Sequence, residues 1–195
     1  EVKENVWGVT TIEGRRPGKT LTVLGGVHGD EVCGVQALDR LVATLKIDAG
    51  RVHLIYGNLQ AIASGKRQTD MNLNRAFRPE PYLLPEERTT YERHRALEIM
   101  PFLDESDALL DVHSSRNTKS TPFIICEPHS FPIACRFPFS IRSYGWDTIE
   151  PGGTDYYMNR QRGFGICVEC GYHLDPEAPK RAEESIKTFL SLMGA

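Results

Sequence analysis

A sheet flanked by helices, an α/β fold, is the architecture this sequence predicts, and two observations carry it. Short runs rich in Val, Ile and Leu alternate with longer segments of helical period, the pattern of strands and covering helices. The chain has 195 residues, 40% of them hydrophobic, which suits one domain with a sizeable buried core.

In chain order, a first strand fits residues 5–12, where β-branched residues dominate, and a second fits 20–26, an apolar run that ends in two glycines. A helix is expected over 30–46, with Val32, Val35, Leu38, Leu41, Val42 and Leu45 on one face. A strand follows at 51–57. Residues 58–84 then read as a long, mostly irregular connection, and loops of that length in a compact domain are usually functional. The next helix fits 85–103, where Pro85 suits a first helical turn. Strands are expected at 107–113 and 121–126, a second long connection at 127–153, and a strand at 163–169. A last helix over 176–193 presents Ile186, Phe189, Leu190 and Met193 as its buried stripe. Pro79, Pro81 and Pro85 punctuate a loop, but composition is similar on both sides, so no domain boundary falls there.

Composition narrows the function. Net charge is −3 and no long run of Lys or Arg occurs, which argues against a nucleic-acid partner. The start, EVKENVWGVTTIEG, lacks a basic stretch followed by an apolar core, and no apolar run approaches the ~20 residues that cross a bilayer. The expectation is a soluble, cytoplasmic protein with no membrane partner. Five cysteines, an odd number scattered through the chain, read as reduced thiols. The CVEC motif at 167–170 lies in a strand-like run and not at a helix start, where a thiol pKa is lowered, so a redox role is not expected. CEPH at 126–129 has no second ligand pair at finger spacing and reads as a strand end and turn.

The stretch LTVLGGVHGDEVCG, residues 21–34, crowds His28, Asp30 and Glu31 behind a glycine turn. His28 and Glu31, three apart on a first helical turn, can face one point and hold one zinc ion. LLDVHSS offers His113 as a third ligand at the end of an apolar strand, and ligand crevices in open α/β sheets lie beyond such strand ends. Two nitrogens, one carboxylate and an open position for water form the ligand set of a catalytic zinc site. The plainer alternative is a loop histidine with Glu31 favouring a helix N-terminus. Asp111, on the same strand face as His113, can orient that imidazole or cap the adjoining loop. GKRQTDMNLNRAF, residues 65–77, adds Arg67 and the Asn74–Arg75 pair, groups able to bind a carboxylate or steady an oxyanion, or simply a solvated polar loop. Glu169, within GFGICVECG, is an acid in an apolar strand and needs a partner or a task.

Taken together, GVHGDE at 26–31, the Gly57-Asn58 turn, Arg67, NLNRAF at 72–77, DVHSS at 111–115 and VECGYHLDPEAPKRAEESIKTFL at 168–190 resemble the succinylglutamate desuccinylase/aspartoacylase family of the zinc carboxypeptidase-like superfamily. The resemblance implies a three-layer α/β fold, with a mixed, mainly parallel sheet between helices. It implies one Zn2+ per chain held by His28, Glu31 and His113, with Asp30 supporting the turn. Arg67 then polarises the scissile carbonyl, Asn74 and Arg75 anchor the substrate's free carboxylate, and Glu169 is the catalytic base and acid. The implied reaction is hydrolysis of an amide in an N-acyl amino acid or similar small molecule.

Two departures from the family pattern stand near the site: Asn72 where many relatives have aspartate, and Leu59 where proline is usual. Residues 1–195 are expected to form a single catalytic domain, without the C-terminal β-rich domain of longer relatives, and the site is expected to be open. Tyr156, Arg160 and Arg162 are further candidates for substrate contact, with a solvated helix end as the alternative. His53, His94, His129 and His173 are expected to bind no metal, His173 fixing the loop after Glu169. Two other functions compete: a zinc carboxypeptidase, which would use the same groups on peptides, and a non-catalytic metal-binding module.

Overall fold

The computed structural model describes residues 2–3 and 8–195. One sheet of eight strands forms the centre of the described residues, in the order β1-β2-β4-β3-β5-β8-β6-β7. The strands are β1 (Val2–Lys3), β2 (Val9–Glu13), β3 (Arg16–Gly25), β4 (Ala49–Tyr56), β5 (Ala108–Ser115), β6 (Phe123–Cys126), β7 (Arg142–Ser143) and β8 (Phe164–Tyr172). The central four, β4, β3, β5 and β8, run parallel, whereas β2 and β6 pair antiparallel to β4 and β8. The sheet is therefore mixed and mainly parallel. Residues 5–7 of the first expected strand lie outside the described residues, and the strand begins at Val9.

Helices α1 (Val32–Thr44) and α7 (Ala178–Met193) cover one face, while α3 (Tyr91–Asp104) and α6 (Thr154–Asn159) cover the other. Short helices α2 (Leu59–Ser64), α4 (Phe131–Ala134) and α5 (Trp146–Ile149) lie within the two long connections that read as irregular in the sequence. No described helix is long and apolar enough to cross a membrane.

Strand alternation divides the side chains between two cores. Leu21, Val23, Leu110, Val112, Ile166 and Val168 join α1 and α7, including Ile186, Phe189, Leu190 and Met193, the stripe expected for the last helix. Leu24, Ile55 and Leu109 join Ala96, Ile99 and Leu103 of α3 with Phe77 and Met158. Asp111, His113, Cys167 and Glu169 share the second face by the same alternation, at the carboxyl end of the parallel strands. That placement is what makes the site.

Two helices differ from their expected form. The buried face of α1 is Cys33, Gly34, Ala37, Leu38 and Leu41, while Val32 is 40% exposed. Close approach explains it: a Cβ on Gly25 would meet the Gly34 backbone at 2.7 Å, so small residues face the sheet and larger ones sit at the flank. The expected helix over 85–103 is two elements. Residues Pro85–Thr89 form a 3-10 turn, and Thr90 then accepts from Arg93 N as the N-cap of α3.

Candidate metal centre

The chain turns sharply after β3. Gly26 has φ of +71°, a conformation that costs glycine little, and a Cβ on Gly29 would lie 2.1 Å from the Ala61 carbonyl carbon. Glu31 N–H then donates to His28 O at 3.1 Å. This turn, which closes before α1 begins at Val32, brings His28 and Glu31 together; the first helical turn expected from their spacing does not. Asp30 lies beside them and accepts from Arg116, which ties the turn to the end of β5.

His28, Glu31 and His113 form a buried group able to hold a metal ion, at 5%, 3% and 4% exposure. His28 Nδ1 lies 2.7 Å from Glu31 Oε1, and His113 Nδ1 lies 2.8 Å from Glu31 Oε2. Behind the rings, His28 Nε2–H donates to Asn72 Oδ1 at 2.9 Å, while His113 Nε2 lies 3.1 Å from Asp111 Oδ2. Asn72 Oδ1 also accepts from Asn74 N, which fixes the amide as an acceptor. Each Nδ1 thus faces an oxygen of one carboxylate, a contact held together by a proton or by a cation, and a set of two ring nitrogens and a carboxylate is one that zinc accepts.

The charges agree. Burial opposes ionisation of Glu31, yet attraction to His113 and hydrogen bonds from both rings hold its pKa well below the carboxylate range. Burial likewise opposes charge on His113, but the carboxylates of Asp111 and Glu31 outweigh it and push its pKa well above the ordinary imidazole value. The pocket favours positive charge.

A cleft runs past the group on both sides. One side is lined by Asn74, Arg75, Ile125, Trp146, Glu150 and Asp155, the other by Ser114, Ser115, Arg116 and Phe123, and the two meet at His28, Arg67 and Glu169. Arg67 reaches Glu31 Oε1 at 3.3 Å. Glu169 is the register partner of His113 on the neighbouring strand, and its Oε2 is buried with no hydrogen-bond partner. Burial pushes the Glu169 pKa up, with His113 opposing and Glu31 and Asp111 adding to the rise. Asn74 Oδ1 is also buried without a partner, and Arg75 is ion-paired with Glu150.

The loop that carries Arg67, Asn74 and Arg75 is held by a residue the sequence did not single out. Glu92 of α3, fully buried, accepts from the backbone N–H groups of Thr69, Asp70 and Met71 and from Asn58 Nδ2. Asp155, Glu150, Trp146 and Ile125 were also missed, because they reach the cleft from α6, from α5 and its C-cap, and from β6, with no motif among them.

Tyr156 and Arg160 do not line this cleft. They line a separate hollow with Phe77, Arg93 and Met100, where the Arg160 guanidinium lies 5.2 Å from the Tyr156 ring centre. Arg162 is exposed and lines neither. The reason is α6, whose turns carry Asp155 toward the cleft and Tyr156 and Arg160 away from it. Of the remaining histidines, His53 pairs with Thr11 and Glu105, His94 with Thr90 O, and His129 with Asn159, all away from the group. His173 Nδ1 pairs with Ser114 Oγ and its backbone N–H with Ser115 O, so it pins the loop after β8. It also adjoins Asp30 and Glu31 in a second possible ligand group, and Asp111, His113 and Cys167 form a third. Cys167 and Cys170 lie on opposite faces of β8 and cannot pair, and all five cysteines are free.

Comparison with known proteins gives the geometry a family. Residues 17–192 match the succinylglutamate desuccinylase/aspartoacylase catalytic domain. A succinylglutamate desuccinylase of Pseudoalteromonas atlantica is 30% identical over 184 residues, which cover 78% of this chain and 50% of that protein. An N-alpha-acetyl-L-2,4-diaminobutyric acid deacetylase of Halomonas elongata is 34% identical over 125 residues, 59% of this chain and 35% of that protein. The chain thus spans half or less of the length of these relatives. A product-bound ectoine utilization protein of Ruegeria pomeroyi has the same fold, with a TM-score of 0.81 at 22% identity over 95% of this chain and 60% of that one.

Proposed function

The chain belongs to the succinylglutamate desuccinylase/aspartoacylase family, and from that premise we propose that it is a zinc-dependent hydrolase that removes the acyl group from an N-acyl amino acid. The carrying observation is the convergence of His28, Glu31 and His113 with both Nε2 atoms already engaged, beside the buried, unpartnered Oε2 of Glu169. The named relatives cleave small acylated amino acids, one with a succinyl group and one with an acetyl group.

His28, Glu31 and His113 would hold the zinc ion, which when bound lowers the pKa of a water toward ~7 and polarises a carbonyl. Glu169 accepts a proton from the attacking water and later delivers it to the departing amine; its raised pKa suits both transfers. Arg67, beside Glu31 at the meeting of the two cleft arms, stabilises the negative charge that develops on the scissile oxygen. Arg75 and Asn74 hold the free carboxylate of the substrate, which takes the place of Glu150 on the Arg75 guanidinium. Asp111 and Asn72 keep the two imidazoles in register throughout.

The test is release of free amine from a panel of N-acyl amino acids and peptides with free C-termini, with chelator and with zinc restored. Chelator-sensitive cleavage of the small amides supports the proposal. Cleavage of the peptides alone would replace it with a carboxypeptidase, and no cleavage by the zinc-loaded protein would favour a binding module.

A further inference from the structure

We infer that the separate hollow beside α6 is a binding site for a small aromatic anion, one planar ring bearing a carboxylate or phosphate group, held by Arg93 and Arg160. This site lies apart from the proposed reaction and does not depend on it. Three guanidiniums, those of Arg78, Arg93 and Arg160, line the hollow, and no carboxylate does. An adjoining hollow shares Arg78, Tyr156 and Arg160 and likewise has no acidic residue in its wall. In a chain of net charge −3 that is a local excess of positive charge.

The three cations are satisfied to different degrees. Arg78 is engaged along its whole guanidinium: Nε donates to Arg75 O at 2.8 Å, Nη1 to Tyr82 O at 3.3 Å and Nη2 to Glu87 Oε1 at 2.7 Å. Arg93, only 8% exposed, donates Nη1 to Ala76 O and Arg78 O, while its Nε and Nη2 have no hydrogen-bond partner among the described residues. It forms no ion pair there either. Glu80 and Tyr157 act on it at longer range, and Glu80 is itself paired with Arg88. Burial pulls the Arg93 pKa down against both, a penalty that an anion placed beside it would remove. Arg160 is exposed, enters no ion pair among the described residues, and lies with its guanidinium 5.2 Å from the Tyr156 ring centre.

The rest of the wall is apolar and flat-sided. The Phe77 and Tyr157 rings stand 6.1 Å apart, with Met100 and Tyr156 beside them. Asp104 accepts from the Tyr157 hydroxyl at 2.7 Å and does not line the hollow. The cavity measures about 200 Å³, and an apolar cavity of about 150 Å³ holds a benzene ring. A single ring with one charged group therefore fits. Guanidinium groups stack on aromatic faces and fork onto carboxylate or phosphate oxygens, so the hollow offers both kinds of contact at once.

Calorimetric titration of the protein with benzoate, phenyl phosphate, benzyl alcohol and acetate separates ring from charge. Benzoate or phenyl phosphate should bind about tenfold tighter than benzyl alcohol, which has the ring alone, and than acetate, which has the charge alone. The tighter of the two aromatic anions identifies the charged group. Arg160→Gln, at an exposed side chain, should weaken that binding about tenfold with the thermal midpoint unchanged. Tyr156→Leu, which removes the stacking face, should weaken it several-fold. Arg75→Gln, whose side chain lines the cleft, should leave it intact. Benzyl alcohol or acetate binding as tightly as both aromatic anions overturns the inference, as does the absence of binding by either anion. Binding that survives Arg160→Gln and is lost in Arg75→Gln would place the anion in the cleft and overturn it equally.

Discussion

Asn72 Oδ1 accepts from His28 Nε2 and from Asn74 N, so one amide sets a ring tautomer and the start of the Asn74–Arg75 turn together. It is a neutral counterpart of Asp111 behind His113, and the two rings are therefore steadied by unequal partners. Groups that orient metal-binding imidazoles typically change metal affinity about 10–100-fold when removed. Asn72→Ala should show a loss in that range by competition with a chromophoric chelator; zinc retained at full affinity would mean that Asn72 serves only the loop. Glu169 calls for the opposite pairing of outcomes. Glu169→Gln should keep one zinc per chain by metal analysis yet lose about 10²–10⁴-fold in turnover, the usual contribution of a positioned acid-base group. An unchanged rate would remove Glu169 from the mechanism.

Among the elements, α3 has an unusual inner face. Glu92, Arg93 and Arg95 are buried, and all three reach backbone: Glu92 the N–H groups of Thr69 to Met71, Arg93 Ala76 O and Arg78 O, Arg95 Tyr56 O and Gly57 O, with Arg95 also paired to Glu98 and Glu92 to Asn58. The helix clamps the loop that reaches the cleft and the turn after β4. Glu92→Ala would strand several buried donors, each worth about 1–3 kcal/mol when left unpaired. Denaturant melts should register a loss of that order or more, and KM should rise because Arg75 and Asn74 lose their footing. A melt matching the wild type would show that water replaces the carboxylate. Gly25 and Gly34 make the contact of α1 with β3, where a Cβ on Gly25 would reach 2.7 Å from backbone. Gly25→Ala should destabilise by about 1–3 kcal/mol through overpacking, read from the thermal midpoint.

For the whole molecule, the parallel strands β4, β3, β5 and β8 create one edge where their carboxyl ends meet, and the site occupies it. The face under α1 and α7 carries a packed core, whereas the face under α3 and α6 carries a packed core and the candidate site. Stability and activity should accordingly separate. Phe189→Ala, in the α7 core, should cost about 3–5 kcal/mol in denaturant unfolding, yet the protein that remains folded should keep its kcat. A fall in kcat with no loss of stability would show that the two faces are coupled.

Much of this was legible in the residues. The six principal strands and three long helices follow from period-2 and period-3.6 patterning, which records the face a side chain buries. Patterning missed where α1 and α3 turn their faces and begin. The small residues Cys33, Gly34 and Ala37 face the sheet because two backbones approach closely, and α3 starts at Thr90 because of its cap; neither is a hydrophobic period. Within the site, His28, Glu31, Arg67, Asn74, Arg75, His113 and Glu169 all lie in short ordered motifs, and the structure gathers them at one cleft. Tyr156 and Arg160, chosen for nearness to Glu169 in sequence, point into another hollow. By itself the sequence determined the layered fold and picked out the polar side chains that meet at the cleft, since both depend on local pattern and residue type. Only the tertiary structure decided that Asn72 backs His28, that Glu92 clamps the arginine loop, and that Glu150 and Asp155 share a wall with Arg75. Those relations join segments 20 to 80 residues apart, and a distance in space between such segments is fixed by packing and has no local signature in the chain.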